Sequence, residues 1–266
     1  MPEYPTRRLD AGRRVSTLFM QDEWQPGLHY HIIGKAIPGR TLFKEVEEGM
    51  WFMKNVIRFK LYTLFHIHAY CLCGNHFHLA VKTRTAAEIL LQLEKRPVES
   101  FTEKDHLYFG GAMDYTSYVY TSFAGTLSGF ARRTNNQHGL EGQLLISPTL
   151  HGLTDKGTPG IEFSRRLIAY VGLNYVKHRL ATFDDKYLLS SFHNAQFGIV
   201  DYANLYALFG GEEAYRKYHK SYLQKYGNSF RSFNEDRFFE ALTPRRFSEE
   251  VKSWREGDWR PKSLLY

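Results

Sequence analysis

In the stretch Cys73-Gly74-Asn75-His76-Phe77-His78-Leu79-Ala80-Val81, two histidines flank one bulky apolar residue inside a run that alternates like a β-strand. Successive side chains of a strand point to opposite faces. His76 and His78 therefore share one face, and Phe77, Leu79 and Val81 share the other. Two imidazoles side by side on an apolar backing make half of a divalent-metal site. The plainer reading is a pair of ordinary strand histidines on a solvated face, because histidine is often neither ligand nor catalyst. A second pairing is Tyr170 with Asn174, four apart in a helical pattern and so on one helix face. A phenol beside an amide oxygen suits a nucleophile and a metal ligand. Alone, an amphipathic core tyrosine is the simpler account, because the chain has 18 tyrosines. His66 and His68 form another H-x-H pair on the preceding run and rank below His76 and His78.

These groups need a sheet and a helix to hold them, and the patterning provides both. Leu28 to Ala36 reads as a first strand, ended by the turn Pro38-Gly39-Arg40. Apolar residues at near-helical spacing predict a helix over Val46 to Phe59. Thr63 to Leu72 and His76 to Thr83 read as the two arms of a hairpin turning at Cys73-Gly74-Asn75. Residues 84–113 begin with a short helical pattern, Ala86 to Leu93, and otherwise read as a loop-rich insertion. A helix over Tyr115 to Arg133 runs into an amide-rich end with a glycine stop at Gly139. Gln143 to His151 reads as a fourth strand, followed by a turn-rich loop at 154–160. A helix over 161–177 carries Tyr170 and Asn174. Tyr187 to Phe192 reads as a docked strip, and two further helices cover Tyr202 to Phe209 and Glu212 to Tyr226.

The 266 residues suffice for one large domain with an appendage. With 43% hydrophobic residues a packed core is expected rather than wholesale disorder. The formal net charge of +7 points toward an acidic partner, nucleic acid being the commonest. Arg132-Arg133 at a helix end could meet a phosphate backbone or be plainly solvated. The polar, then basic, start does not read as a signal peptide. No apolar run approaches the roughly 20 residues of a membrane span. Cys71 and Cys73 read as reduced thiols of a cytoplasmic protein, since alternate positions on one strand make poor disulfide geometry. The expected organisation is a basic arm over 1–26, a catalytic domain over 27–195, with insertions near 84–113 and 153–160, and a helical and basic extension over 196–266.

Four segments together resemble the single-tyrosine, single-strand DNA transposases of the HUH endonuclease superfamily, and especially the REP-associated tyrosine transposases. They are Tyr30-His31-Ile32-Ile33 with Gly39-Arg40-Thr41-Leu42-Phe43; Ala69-Tyr70-Cys71-Leu72-Cys73-Gly74-Asn75-His76-Phe77-His78-Leu79; Tyr170-Val171-Gly172-Leu173-Asn174-Tyr175-Val176-Lys177; and Tyr187 to Phe192. The likeness spans roughly residues 28–195. Cys73-Gly74 stands where the family has Met-Pro, and Tyr175 where it has proline.

The resemblance implies a ferredoxin-like α+β sandwich, an antiparallel sheet with helices on one face and His76–His78 on a central strand. It also implies that His76, His78 and Asn174 hold one Mg²⁺ or Mn²⁺. Tyr170 is then the nucleophile that forms a 5′-phosphotyrosine with single-stranded or hairpin DNA. Arg40, Arg132, Arg133 and Lys177 are candidate DNA contacts. Members of the superfamily act as monomers or homodimers, and the sequence leaves that open. Two other readings remain: a domesticated relative that binds hairpin DNA without transposition, and a metal-dependent hydrolase using water, for which Glu141 or Asp155 would be the carboxylate base.

Overall fold

The computed structural model describes residues 24–152, 161–193 and 198–226, together with a two-residue antiparallel pair, Arg8–Leu9 with Arg13–Arg14. Most of the expected arm, the loop 153–160 with Asp155, and the tail from residue 227 lie outside the described residues.

Four strands form one open antiparallel sheet: β1 (His29–Ala36), β2 (Phe65–Leu72), β3 (His76–Thr83) and β4 (Leu145–Gly152). Their order is β2-β3-β1-β4, so the strand with both histidines is interior. The hairpin β2–β3 turns through Gly74, whose φ of 65° lies in the left-handed region open to glycine.

The two faces of the sheet are chemically different. On one, Phe77, Leu79 and Val81 of β3 stand beside Tyr30 and Ile32 of β1, all buried. Helix α1 covers this face. It begins as Val46–Phe52, continues over Met53–Leu61 in wider i→i+5 turns, and closes with Tyr62–Leu64. Helix α4 (Tyr115–His138) packs beside it. Their aromatic rings interlock, with Phe52 centred 5.0 Å from Phe77 and 4.7 Å from Phe130. Such offset and edge-on pairs stabilise beyond their buried area.

The other face carries the histidines and is covered by helix α5 (Ile161–Gly172), which packs on β2 and β3. The sheet is thus covered on both sides, where helices on one face were expected. The reason is the extra helix that follows β4. Helices α7 (Tyr202–Phe209) and α8 (Glu212–Tyr226) buttress α5 from outside through Phe192, Tyr215 and His219.

Three local expectations are corrected. The helix expected over 161–177 stops at Gly172, breaks at Leu173, and resumes as the single turn α6 (Asn174–Lys177). The break is tertiary in origin: the Ser190 hydroxyl donates 2.6 Å to the Gly172 carbonyl, which would otherwise serve the next turn. Within 84–113 the helical pattern expected over Ala86 to Leu93 forms as α2 (Ala86–Glu94), but the part expected to be loops carries a further helix, α3 (Glu103–Phe109), and each is opened by a threonine capping box. Helix α4 runs past Arg133 to His138.

The strip Tyr187 to Phe192 docks along the outer edge of β2. The Leu72 amide donates 3.0 Å to the Leu189 carbonyl, and the Ser191 amide donates 2.9 Å to the Tyr70 carbonyl. The Tyr187 phenol adds a bond of 2.7 Å to the Leu72 carbonyl. The strip thereby occupies the Tyr70–Leu72 end of that edge.

Candidate metal and nucleophile site

Phe77 sets the orientation of its neighbours. It faces Gly34 directly across β1 and β3, and its ring lies where a Cβ on residue 34 would stand. With Phe77 seated in the aromatic layer, His76 and His78 must point into the opposite layer, under α5. Both are buried.

Each histidine has a definite partner. The Asn75 side-chain oxygen accepts from His76 Nδ1 at 2.8 Å. An acceptor there holds the proton on Nδ1 and turns the Nε2 lone pair outward. That Nε2 lies 3.1 Å from Nε2 of His178. His78 Nδ1 lies 3.0 Å from Nε2 of His31, whose ring stacks on it. His78 Nε2 is buried without a hydrogen-bond partner. Burial first, and then the neighbouring imidazoles, push His76 and His78 well below the ordinary histidine range. His178 is pushed down to about 3, chiefly by burial and then by Lys177. All three are neutral at pH 7 and offer lone pairs, the form in which imidazole binds a metal.

Helix α5 brings Tyr170 onto these rings. Its ring centre is 5.4 Å from His31 and 6.0 Å from His78, edge-on to both. Lys177 closes over it from α6: Nζ donates to the Tyr170 phenol oxygen at 3.1 Å and lies 4.9 Å from the ring centre. Lys177 lies seven residues beyond Tyr170, about two helical turns on and therefore on the same face. Asn174 sits at the helix break, fully buried. Its amide nitrogen donates to the Tyr170 carbonyl at 2.9 Å, while its oxygen has no partner.

Four of the residues singled out from sequence are therefore gathered here: His76, His78, Tyr170 and Lys177, with Asn174 one turn along. His78 Nε2 and Asn174 Oδ1 are each buried without a hydrogen-bond partner, and two imidazoles with an amide oxygen are a donor set that suits a divalent cation with nitrogen and oxygen preference. The other candidates lie elsewhere. Arg40 donates to the Glu141 carbonyl at 2.5 Å and to the Asn135 side chain at 3.5 Å, pinning the end of α4. The Arg133 guanidinium lies 4.0 Å from the Trp51 ring centre, and Arg132 is exposed beside it. His66 bonds Glu88 at 2.8 Å, and His68 stacks on His29. A bulge between Ile67 and Ala69 breaks their alternation. Glu141 is exposed.

Three members of the cluster were not singled out from sequence: His31, Cys73 and His178. His31 could have been found from register, since it occupies the histidine face of a strand that pairs with β3. His178 follows Tyr170 and Asn174 at the same helical spacing. Cys73, His76 and His178 each offer a ligand atom, all within 4.8 Å of one another, so this group could hold a metal ion. No aspartate or glutamate among the described residues joins it. Both cysteines are free and buried, with sulfurs 3.6 Å apart.

No family model matches the chain, and neither does a curated protein or a solved structure. Among the described residues no helix is long and apolar enough to cross a membrane.

Proposed function

We propose that the chain is a metal-dependent single-strand DNA nuclease and transposase that cleaves and rejoins DNA through Tyr170. The observation that carries this reading is the seat of Tyr170, edge-on to His31 and His78 with the Lys177 ammonium on its phenol oxygen. A phenol ionises near pH ~10, so it needs help to attack at neutral pH. The lysine offers that help by donating to the oxygen as charge develops on it. The phenol gives its proton to water as the Tyr170 oxygen bonds to phosphorus, the bond from phosphorus to the 3′ oxygen breaks, and that oxygen takes a proton from water and leaves as a free 3′-hydroxyl. Reversal with another 3′-hydroxyl rejoins strands without a nucleotide cofactor.

His76, His78 and Asn174 are the residues that would hold Mg²⁺ or Mn²⁺. When bound, such a cation polarises a non-bridging oxygen of the scissile phosphate. The strand order β2-β3-β1-β4, with helical crossovers after β1 and β3, supports the ferredoxin-like architecture. The tyrosine helix lies over histidines of the same chain, which supports a site complete in one copy rather than one shared between two. Single-stranded or hairpin DNA is the partner this reading requires, met through phosphate contacts and base stacking.

A binding module without catalysis is the second reading, supported by Arg133 stacked on Trp51 beside exposed Arg132, away from the tyrosine. A covalent-adduct assay separates the two. Labelled hairpin oligonucleotides from the flanks of the chain's own gene are mixed with protein and Mn²⁺ or Mg²⁺, then run on a denaturing gel. An upshifted band that requires metal and is lost in Tyr170→Phe and His76→Ala is expected. Tight binding without any adduct would establish the binding module instead.

A further inference from the structure

We propose that Cys73, His76 and His178 form a binding site for a thiophilic divalent cation of the zinc type, sharing His76 with the set that includes His78 and Asn174. The three ligand atoms lie within 4.8 Å of one another, and the two imidazole nitrogens face each other at 3.1 Å. Ligand atoms around a tetrahedral zinc, with bonds of about 2.0–2.3 Å, stand at comparable separations. One thiolate and two imidazoles leave a fourth position open, and a sulfur ligand selects zinc-type ions over magnesium or manganese.

The surroundings are prepared for such an ion. Asn75 holds the His76 proton on Nδ1, which is the outer hydrogen bond that fixes a metal-binding imidazole in its tautomer. His178 is placed by α6, its amide donating to the Asn174 carbonyl at 2.9 Å, and Arg179 beyond it takes a φ of 57° that ends the turn. The Cys73 amide donates to the His76 carbonyl at 2.8 Å, so the hairpin turn holds these two ligands to each other. On binding, the Cys73 thiol loses its proton to solvent and the sulfur–metal bond forms.

His76 has a single outward nitrogen. A cation held with Cys73 and His178 therefore withdraws it from His78 and Asn174. That consequence for cleavage rests on the function proposed above, whereas the binding site does not.

The test is optical and needs no DNA. Co²⁺ added to the full reduced chain is expected to give one equivalent of a thiolate-to-cobalt charge-transfer band in the near ultraviolet, displaced by Zn²⁺. The band is expected to vanish in Cys73→Ser and His178→Ala and to persist in Cys71→Ser and His78→Ala. X-ray absorption of the zinc-loaded wild-type chain reads the same site without a variant and is expected to show sulfur in the first shell. A wild-type shell of nitrogen and oxygen alone, or a charge-transfer band that survives Cys73→Ser, would overturn the proposal.

Discussion

At the scale of single residues, the site is a set of neutral acceptors with one ammonium among them. Lys177 is the group whose removal separates chemistry from binding. Lys177→Met is expected to slow adduct formation by roughly 10²-fold, the usual effect of removing one donor from a developing oxyanion. Mobility shift on the same oligonucleotide is expected to change by only a few-fold, because one phosphate contact among many is lost. Equal losses in both measurements would make Lys177 a DNA contact only. How much was legible at this scale follows from periodicity. His76 and His78 declare their shared face because a strand repeats every two residues. Tyr170 and Asn174 declare theirs because a helix brings i and i+4 together. His31 joins them only through the pairing of β1 with β3, a tertiary fact that no local spacing contains, whereas His178 stands one further i+4 step beyond Asn174 and was legible in the same spacing.

At the scale of elements, the strands and most helices follow their patterns, and the departures have identifiable causes. The break after Gly172 depends on Ser190, which lies 18 residues further along the chain. The helix Glu103–Phe109 is short and polar, so its signal is the capping box at Thr102 rather than an apolar stripe. Two contacts hold the elements in the positions the site needs. Glu48 in α1 accepts from Gln137 at 2.9 Å and His138 at 2.6 Å at the end of α4, and from the Lys44 amide at 2.5 Å. Glu48→Ala strands these donors and is expected to cost about 1–3 kcal/mol in urea unfolding. Gly34 is the second. Gly34→Ala drives a methyl group into the Phe77 ring and is expected to cost a further ~1–3 kcal/mol by overpacking. The same denaturation curves measure it, and an unchanged midpoint would show that the ring moves aside freely.

At the scale of the whole molecule, buried histidines make the fold sensitive to acid. His68, His178 and His219 are each pushed down to about 3, with burial the largest cause, and His76 and His78 also sit far below the ordinary value of 6.5. Between those limits the unfolded chain binds protons that the folded chain refuses. Stability is therefore fully present above about pH 6.5 and falls as pH falls, by about 1.4 kcal/mol per pH unit for one such group. Thermal unfolding followed from pH 8 to pH 5 is expected to show a midpoint that is level at first and then drops. His219→Leu, which removes one buried imidazole packed against Tyr215 and Phe192, is expected to make the decline shallower. A midpoint indifferent to pH would mean that these rings ionise as freely when folded as when unfolded. The seat of Phe77 against Gly34 carries a consequence for mutability. In a library randomised at both positions, residues larger than glycine at 34 should be recovered only with small residues at 77, and an aromatic 77 only with glycine at 34. The two positions should thus travel together through sequence space, and neither should drift alone without tipping the histidines off their common face.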